Sequence, residues 1–315
     1  MNFRKIRIIS LALSALALGQ AVQAMDLDKK ALNENLLDAA RNNKVNKITQ
    51  LLKQGADINC KSKKFCWTPL HEACWAGYSE IVKLLIEHVA DINLAEKYGQ
   101  TPLYLACSRN YSNIVKLLIE RKAAINLAEE KYGRTPLHEA CMRNSKDAAK
   151  LLLEHGADIN VRDNRRETPL HEACMSNHPE IVKLLIEHGV DIDLQNNCGR
   201  TPLHEACWGS TKDAAVKLLI EYKADINIAD DGGRAPLHIA CLWNHPEIVK
   251  LLIEHNADID CKDKDHKTAL DLANQNGYSD IAAMIVQEQE RRKLIEEKQA
   301  LEESRLLEYL QRNKA

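Results

Sequence analysis

Apolar and polar positions recur along this chain in blocks of about 33 residues. One block opens on Thr68-Pro69-Leu70 and runs through Cys74 as a short, mostly apolar stretch. A second stretch, Ile81-Val82-Lys83-Leu84-Leu85-Ile86, spaces its apolar residues as a helix does. The block closes on Ala90-Asp91-Ile92-Asn93. Thr-Pro-Leu returns at Thr101, Thr135, Thr168 and Thr201, and in altered form at Ala235-Pro236-Leu237 and Thr268-Ala269-Leu270. Successive starts differ by 33, 34, 33, 33, 34 and 33 residues.

The chemistry of one block predicts two short helices and a turn. Thr68 can cap a helix start and Pro69 suits the first helical position. Gly77 or its equivalent ends that helix. Ser79, Ser112, Ser145 and Ser279 are expected to cap the second helix, and Pro179 and Pro246 to begin it in other blocks. Gly99, Gly133, Gly199 and Gly233 fall in the turn that leads to the next block, where φ can be positive. A single block cannot bury its own apolar face, but stacked neighbours can. The expected fold class is therefore all-α, an elongated array of stacked helix pairs.

Thr135-Pro136-Leu137-His138-Glu139-Ala140-Cys141, the period, and the Gly156-Ala157-Asp158-Ile159-Asn160 ending resemble the ankyrin repeat. The resemblance covers residues 35–286, about eight units including caps. It implies a solenoid of helix-turn-helix units with β-turn fingers on one side, and partners that bind the fingers and the concave face of the first helices. It also implies that the motif histidine braces neighbouring turns by hydrogen bonds. Residues 35–59 lack Thr-Pro and carry Lys47 and Gln50 where the next unit has Ile81 and Leu84, as a terminal cap requires. At the other end Asp271 replaces the histidine. Tyr104 replaces it in the second full unit, Cys66, Arg166 and His266 replace the turn glycine, and one extra residue enters between Ala206 and Glu221.

The flanks differ from the array. Arg4, Lys5 and Arg7 precede an apolar run from Ile8 to Leu18 and a small-residue end at Ala24. Residues 1–24 read as a secretory signal peptide, with a short segment 25–34 before the repeats. The alternative, an uncleaved anchor, has a run short of the ~20 residues a span needs. Residues 287–315 alternate charge with Leu294, Ile295, Leu301, Leu306, Leu307 and Leu310. Glu288 with Arg292, and Glu308 with Arg312, are i,i+4 pairs, so this tail reads as a charged helix leaving the last repeat. It is either a solvated helix or a short docking segment that gives weak self-association; a monomer is the expectation.

Composition narrows the chemistry. The formal net charge of -2 gives no footprint for nucleic acid. Aromatics are only 4%, which suits a core of small aliphatic residues on many short helices. Ten cysteines in an exported chain suggest disulfides. Yet Cys74, Cys107, Cys141, Cys174, Cys207 and Cys241 share one helical position, and packed helices lie beyond the ~7 Å Cα reach of a bridge. These six read as small buried hydrophobes. A bridge between Cys60 and Cys66 across one finger stays open. His71, Glu72 and Cys74 resemble metal ligands but lie along one short helix, so no metal is expected. No phosphate-binding or nucleophile motif is present, so neither catalysis, a cofactor nor a small-molecule substrate is expected.

The candidate partner-binding residues stand at positions that vary from unit to unit. Trp67 precedes a Thr-Pro, and Arg134, Arg200 and Arg234 share its place. Trp75 and Trp208 follow the buried cysteine, and Met142, Met175 and Leu242 share theirs. Trp243 stands one residue further on, with Arg109 and Arg143. Trp, Met and Arg are enriched in protein interfaces; alternatively the rings only shield the first helices. The resulting expectation is an exported protein, periplasmic or secreted, that binds a protein partner, with a host protein as one possible target. The alternative is an envelope-resident accessory protein for one of the cell's own proteins.

Overall fold

A computed structural model describes residues 28–209 and 213–312. The expected signal peptide, residues 25–27 and the centre of the insertion after Ala206 lie outside the described residues. Among the described residues there are sixteen helices and no strand, so the chain is all-α as its pattern predicts. None of these helices is long and apolar enough to cross a membrane. The chain divides into two compact units, one ending at Asp158 and one beginning at Ile159.

The first unit holds α1 (28–41), α2 (Val45–Lys53), α3 (Pro69–Ala76), α4 (Ser79–Glu87), α5 (Pro102–Ser108), α6 (Ser112–Glu120), α7 (Pro136–Met142) and α8 (Lys146–Glu154). The second holds α9 (Pro169–Met175), α10 (Pro179–Glu187), α11 (Pro202–Gly209), α12 (Ala214–Glu221), α13 (Pro236–Leu242), α14 (Pro246–Glu254), α15 (Ala269–Gln275) and α16 (Ser279–Arg312). Most are seven to nine residues long. Isolated helices under ~12–15 residues are marginal in water, so packing must hold these.

Odd-numbered helices pack on odd-numbered ones and even on even. α3 meets α5 and α5 meets α7, while α4 meets α6 and α6 meets α8. In the second unit α9, α11, α13 and α15 follow in turn, with α10 on α12 and α14 on α16. Leu70, Ala73 and Cys74 are fully buried on the first helix of a pair, as are Ile81, Val82 and Leu85 on the second. Each such aliphatic side chain contributes roughly 1.5–3 kcal/mol. None of the ten cysteines is in a disulfide, Cys60 and Cys66 included, so no bridge crosses that finger. At the first pair Lys47 and Gln50 are exposed while Ile48 and Leu51 are buried, the one-sided burial of a cap.

α1 begins at residue 28, in the segment that precedes the repeat pattern. One local expectation needs correction. The serines do not cap the second helices. The caps of α4 and α6 are Tyr78 and Tyr111, one residue earlier, and Ser145 makes no side-chain cap bond. At α8 and α12 the preceding repeat supplies an acceptor instead. Asn110 Oδ1 accepts Ala148 N–H at 3.3 Å, and Asn177 Oδ1 accepts Ala215 N–H at 3.4 Å.

At the other end, residue 287 marks no break. α16 continues from its buried Ile281 and Ile285, and Glu288 holds both Arg291 and Arg292. These guanidiniums bring the Glu288 carboxyl down to about 2. Arg292 also donates to the Ala257 carbonyl at 3.1 Å. Further on, Leu294, Ile295, Leu301 and Leu306 are exposed. The side chains of Leu307, Leu310 and Arg312 lie outside the described residues.

The motif histidines join successive pairs. Thr68 N–H donates to His71 Nδ1 at 3.2 Å, and His71 Nε2 donates to the Gln100 carbonyl at 3.1 Å. The ring is therefore the neutral Nε2–H tautomer. His171, His204 and His238 repeat the arrangement, reaching the carbonyls of Arg200, Arg234 and Lys267 at 3.0, 2.9 and 3.2 Å. Where Tyr104 replaces histidine, its hydroxyl donates to Glu139 Oε2 at 2.9 Å, so the join to the next pair survives with another partner. A second seam runs beside it. The Oδ1 atoms of Asn59, Asn93 and Asn126 accept the N–H of Asp91, Ala124 and Asp158.

Burial pushes the His71 imidazole down to about 4 and lowers those of His204 and His238. Above about pH 6.5 the ring is neutral in both folded and unfolded chains. Between that value and about 4 the unfolded ring takes a proton and the folded ring does not, so stability falls as pH falls. Glu205 and Asp193, whose carboxyls burial raises, act in the opposite sense over part of this range. Urea midpoints measured from pH 7 to 4 should drop, with a loss on the order of a few kcal/mol. A midpoint that stays flat over that range would refute the neutral-ring assignment.

Candidate functional site

The variable surface is built from two kinds of element: the fingers and the C-terminal ends of the first helices. Each finger is a tight turn held by one inward acceptor. Glu96 Oε1 accepts Tyr98 and Gln100 N–H; Asp163 Oδ1 accepts Arg165 and Glu167 N–H at 2.8 and 2.9 Å. Glu129, Asn196, Asp230 and Asp263 do the same in their own turns. The sequence reading missed these residues, although each stands a few positions ahead of its Thr-Pro, Ala-Pro or Thr-Ala with the period of the repeat. Neighbouring fingers are joined by backbone bonds, such as Lys97 N–H to the Phe65 carbonyl at 3.0 Å and Glu130 N–H to the Tyr98 carbonyl at 2.9 Å.

Tightness explains the turn glycine. A Cβ on Gly99 would lie 2.5 Å from Glu130 N. Cys66, Arg166 and His266 take the corresponding turn position with φ of 57°, 58° and 59°. Such a left-handed conformation costs a non-glycine residue roughly 1–2 kcal/mol.

All twelve candidate partner-binding residues are exposed or half-exposed. In the first unit Trp67 meets Trp75 edge to face, with ring centroids 5.7 Å apart, and Phe65 adjoins Trp67 at 6.2 Å. Arg109, the C-cap of α5, lies over Trp75 at 3.7 Å. Arg134 Nη1 donates to Met142 Sδ at 3.4 Å. Arg143 lines one groove with Arg134 and Met142 and holds Glu139 at 3.0 Å.

In the second unit Trp208 and Trp243 adjoin at 6.0 Å, and Arg200 lies 4.8 Å over Trp208. Arg200 also faces Glu205 and Asp230 at 3.7 Å, and Arg234 reaches Asp263 at 3.5 Å. These arginines are thus partly committed to the framework. Met175 and Leu242 are half-exposed at the ends of α9 and α13. Gly209 brings α11 close to Met175, since a Cβ there would lie 2.2 Å from the Met175 carbonyl oxygen.

The repeat-motif residues with ligating chemistry are occupied by the framework. His71, His171 and His204 use both ring nitrogens. The Cys74, Cys107 and Cys207 thiols are buried, which pushes each well above the ordinary thiol range. Asp163, Glu167 and Glu172 are buried with carboxylate oxygens within 4.8 Å of one another, but Asp163 Oδ1 already accepts two finger amides.

A family model described as ankyrin repeats in three copies matches residues 36–129, 90–163, 159–230 and 209–295. The chain belongs to the ankyrin-repeat family. Ankyrin repeats imply protein–protein interaction, and the family is typically a non-catalytic binding scaffold. Over 65 residues the chain is 40% identical to the 2-5A-dependent ribonuclease of Mus musculus, covering 21% of this chain and 9% of that protein. The Homo sapiens protein of that name gives the same figures. Over 94 residues it is 35% identical to Delta-latroinsectotoxin-Lt1a of Latrodectus tredecimguttatus, covering 30% of this chain and 8% of that one. The chain spans less than a tenth of each of these relatives, so the likeness concerns the ankyrin repeats and not the activity of those whole proteins.

The tryptophans are removable in this geometry. Trp75, Trp208 and Trp243 are 38%, 39% and 49% exposed, so alanine there encloses no cavity. Each Trp→Ala variant should lose less than ~1.5 kcal/mol, whereas Leu85→Ala in the core should lose ~2–5. Chemical denaturation of the four variants checks this. A core-like loss at the tryptophans would make them framework.

Proposed function

We propose that this chain is an exported interaction protein that holds a protein partner against its fingers and first-helix ends. The observation that carries the reading is the pair of exposed ring-and-guanidinium clusters, Trp67–Trp75–Arg109 and Trp208–Trp243–Arg200. Large rings and arginines placed together on a rigid frame supply contact area at little entropic cost. The near-neutral charge argues against nucleic acid as the main partner. The chain acts as a monomer, its tail helix adding weak self-association at most. Its destination is the periplasm or the exterior, supported by the basic-then-apolar start that ends at Ala24. A host protein is one target consistent with export; retention in the envelope would favour a partner from the same cell.

Affinity capture with the chain from Met25 onward, read by mass spectrometry, identifies the partner. The Trp75→Ala, Trp208→Ala and Trp243→Ala variants then test the surface. Loss of ~2 kcal/mol of binding at a hot spot is more than tenfold in affinity. Partner capture unchanged in all three would remove this surface from the reading. N-terminal sequencing of the exported protein should begin at Met25; a start at Met1 would remove the cleaved-signal proposal.

A further inference from the structure

The fingers of the first unit carry a feature that the tryptophans do not explain. Phe65, Tyr98 and Tyr132 occupy the same place, three residues ahead of Thr68, Thr101 and Thr135. Each is exposed and each is preceded by a lysine that lies over its ring. Lys64 is 4.9 Å from the Phe65 centroid, Lys97 is 5.8 Å from that of Tyr98 and Lys131 is 4.6 Å from that of Tyr132. The backbone bonds between these fingers hold the three pairs in one row. In the second unit the same place holds Arg165, Cys198, Gly232 and Asp265. The row is a property of the first unit alone.

Beside the first finger lies a groove of about 1310 Å³, lined by α1, the segment 57–67 and α3. Phe65, Trp67 and Trp75 supply its apolar side, and Lys29, Lys30 and Lys61 stand exposed along it. Several carboxylates of this region are already engaged. Glu34 pairs with Lys63 at 2.9 Å, Glu72 takes Arg41 through both oxygens, and Glu96 and Glu129 hold finger amides. Glu130 is an exposed acid next to the row, and Asp38 and Asp57, also exposed, line the groove. Lys29, Lys30, Lys61, Lys64 and Lys97 outnumber these three acids. Charge complementarity calls for an anionic occupant with an apolar group for the rings.

Two features select the kind of anion. The lysines are spread along a row and a groove and do not converge on one point, as a bound phosphate would require. Each finger ring already has an ammonium over one face, which blocks the two-faced stacking that bases use on aromatic platforms. Ring edges and spread ammonium groups suit carboxylates flanking an aliphatic or aromatic side chain.

We infer that the finger-tip row and groove of the first unit form a docking site for an extended acidic peptide segment of a partner protein, anchored by an apolar residue against Phe65, Trp67 and Trp75. This rests on the interaction-protein reading and assigns it a location and a ligand class.

The test is selection of random peptides displayed on phage against three forms of the full chain. These are the unsubstituted protein, a Lys64→Glu, Lys97→Glu and Lys131→Glu variant, and a Trp208→Ala, Trp243→Ala variant. Circular dichroism confirms folding, and Trp75→Ala serves as a second first-unit probe. The unsubstituted chain should enrich Asp- and Glu-rich peptides around one apolar residue. The lysine variant should lose that enrichment, and the second-unit variant should keep it. A synthetic peptide of the enriched sequence should bind the lysine variant at least ~tenfold more weakly and should weaken as salt rises. Neutral or basic peptides, or acidic enrichment that survives the lysine reversal, would overturn the inference. So would oligothymidylate binding to the row in place of any acidic peptide. A natural partner held only through Trp208 and Trp243 would defeat this inference and leave the general reading standing. A partner unaffected by every surface variant would defeat the general reading itself.

Discussion

Helices this short stay folded only because each pair finds its missing partners in the next. The neutral imidazole of the motif shows the constraint most directly. His71 Nδ1 takes an amide from its own helix start, and Nε2 gives its proton to the carbonyl of the following finger. One ring thus satisfies a buried group in each of two repeats, and leaving either unpaired would cost ~1–3 kcal/mol. The requirement is also why the ring must stay uncharged. A proton on Nδ1 would face Thr68 N–H with no lone pair to offer.

The same logic recurs in the seams beside the histidines. Asn59, Asn93 and Asn126 each accept an amide from the next repeat, and Asn110 caps the helix of the pair after it. Apolar burial gives the stack most of its energy but little geometry, since aliphatic packing tolerates small shifts. Directional bonds between repeats add the register. Tyr104 illustrates how far this can bend. A phenol cannot copy both nitrogens, yet its hydroxyl reaches Glu139 and preserves a link to the following pair.

Much of this was readable in the sequence because a repeat states its message several times. Thr68, Pro69 and Cys74 recur in step, so their roles as cap, first helical residue and buried small residue could be assigned together, while the bracing role of His71 was implied by the resemblance to the ankyrin repeat. The serine caps were misplaced because at α4 and α6 the cap position falls on Tyr78 and Tyr111, and at α8, where Ser145 holds that position, a first-turn amide bonds an asparagine one repeat away. Local chemistry does not see a partner that distant. The buried finger acids went unnoticed for a different reason. Glu96, Glu129 and Asp163 differ in type, and a charged residue in a turn reads as solvated until burial is known. The clustering of Trp67, Trp75 and Arg109 likewise depends on bringing two repeats together.

Framework and surface obey different rules here. A framework residue answers to neighbours on both sides, so changing it disturbs two repeats at once. A finger-tip residue answers to its own turn, whose shape is fixed by the inward acceptor and the backbone bonds to the adjacent finger. Tips can therefore differ while the stack stays the same. Tyr98 and Tyr132 share a place with Arg165, Cys198, Gly232 and Asp265, yet the finger acceptors behind both sets make the same kind of bonds, and Ser62 Oγ accepts Trp67 N–H in the finger of Phe65. Because the turn is held from inside, an exposed ring with a lysine over its face adds little to folding. An exposed cation–π contact contributes only ~0.5–1 kcal/mol, far less than the core beneath it. The physical consequence of such rows is at the surface, where ring edges and ammonium groups meet whatever the stack is placed against.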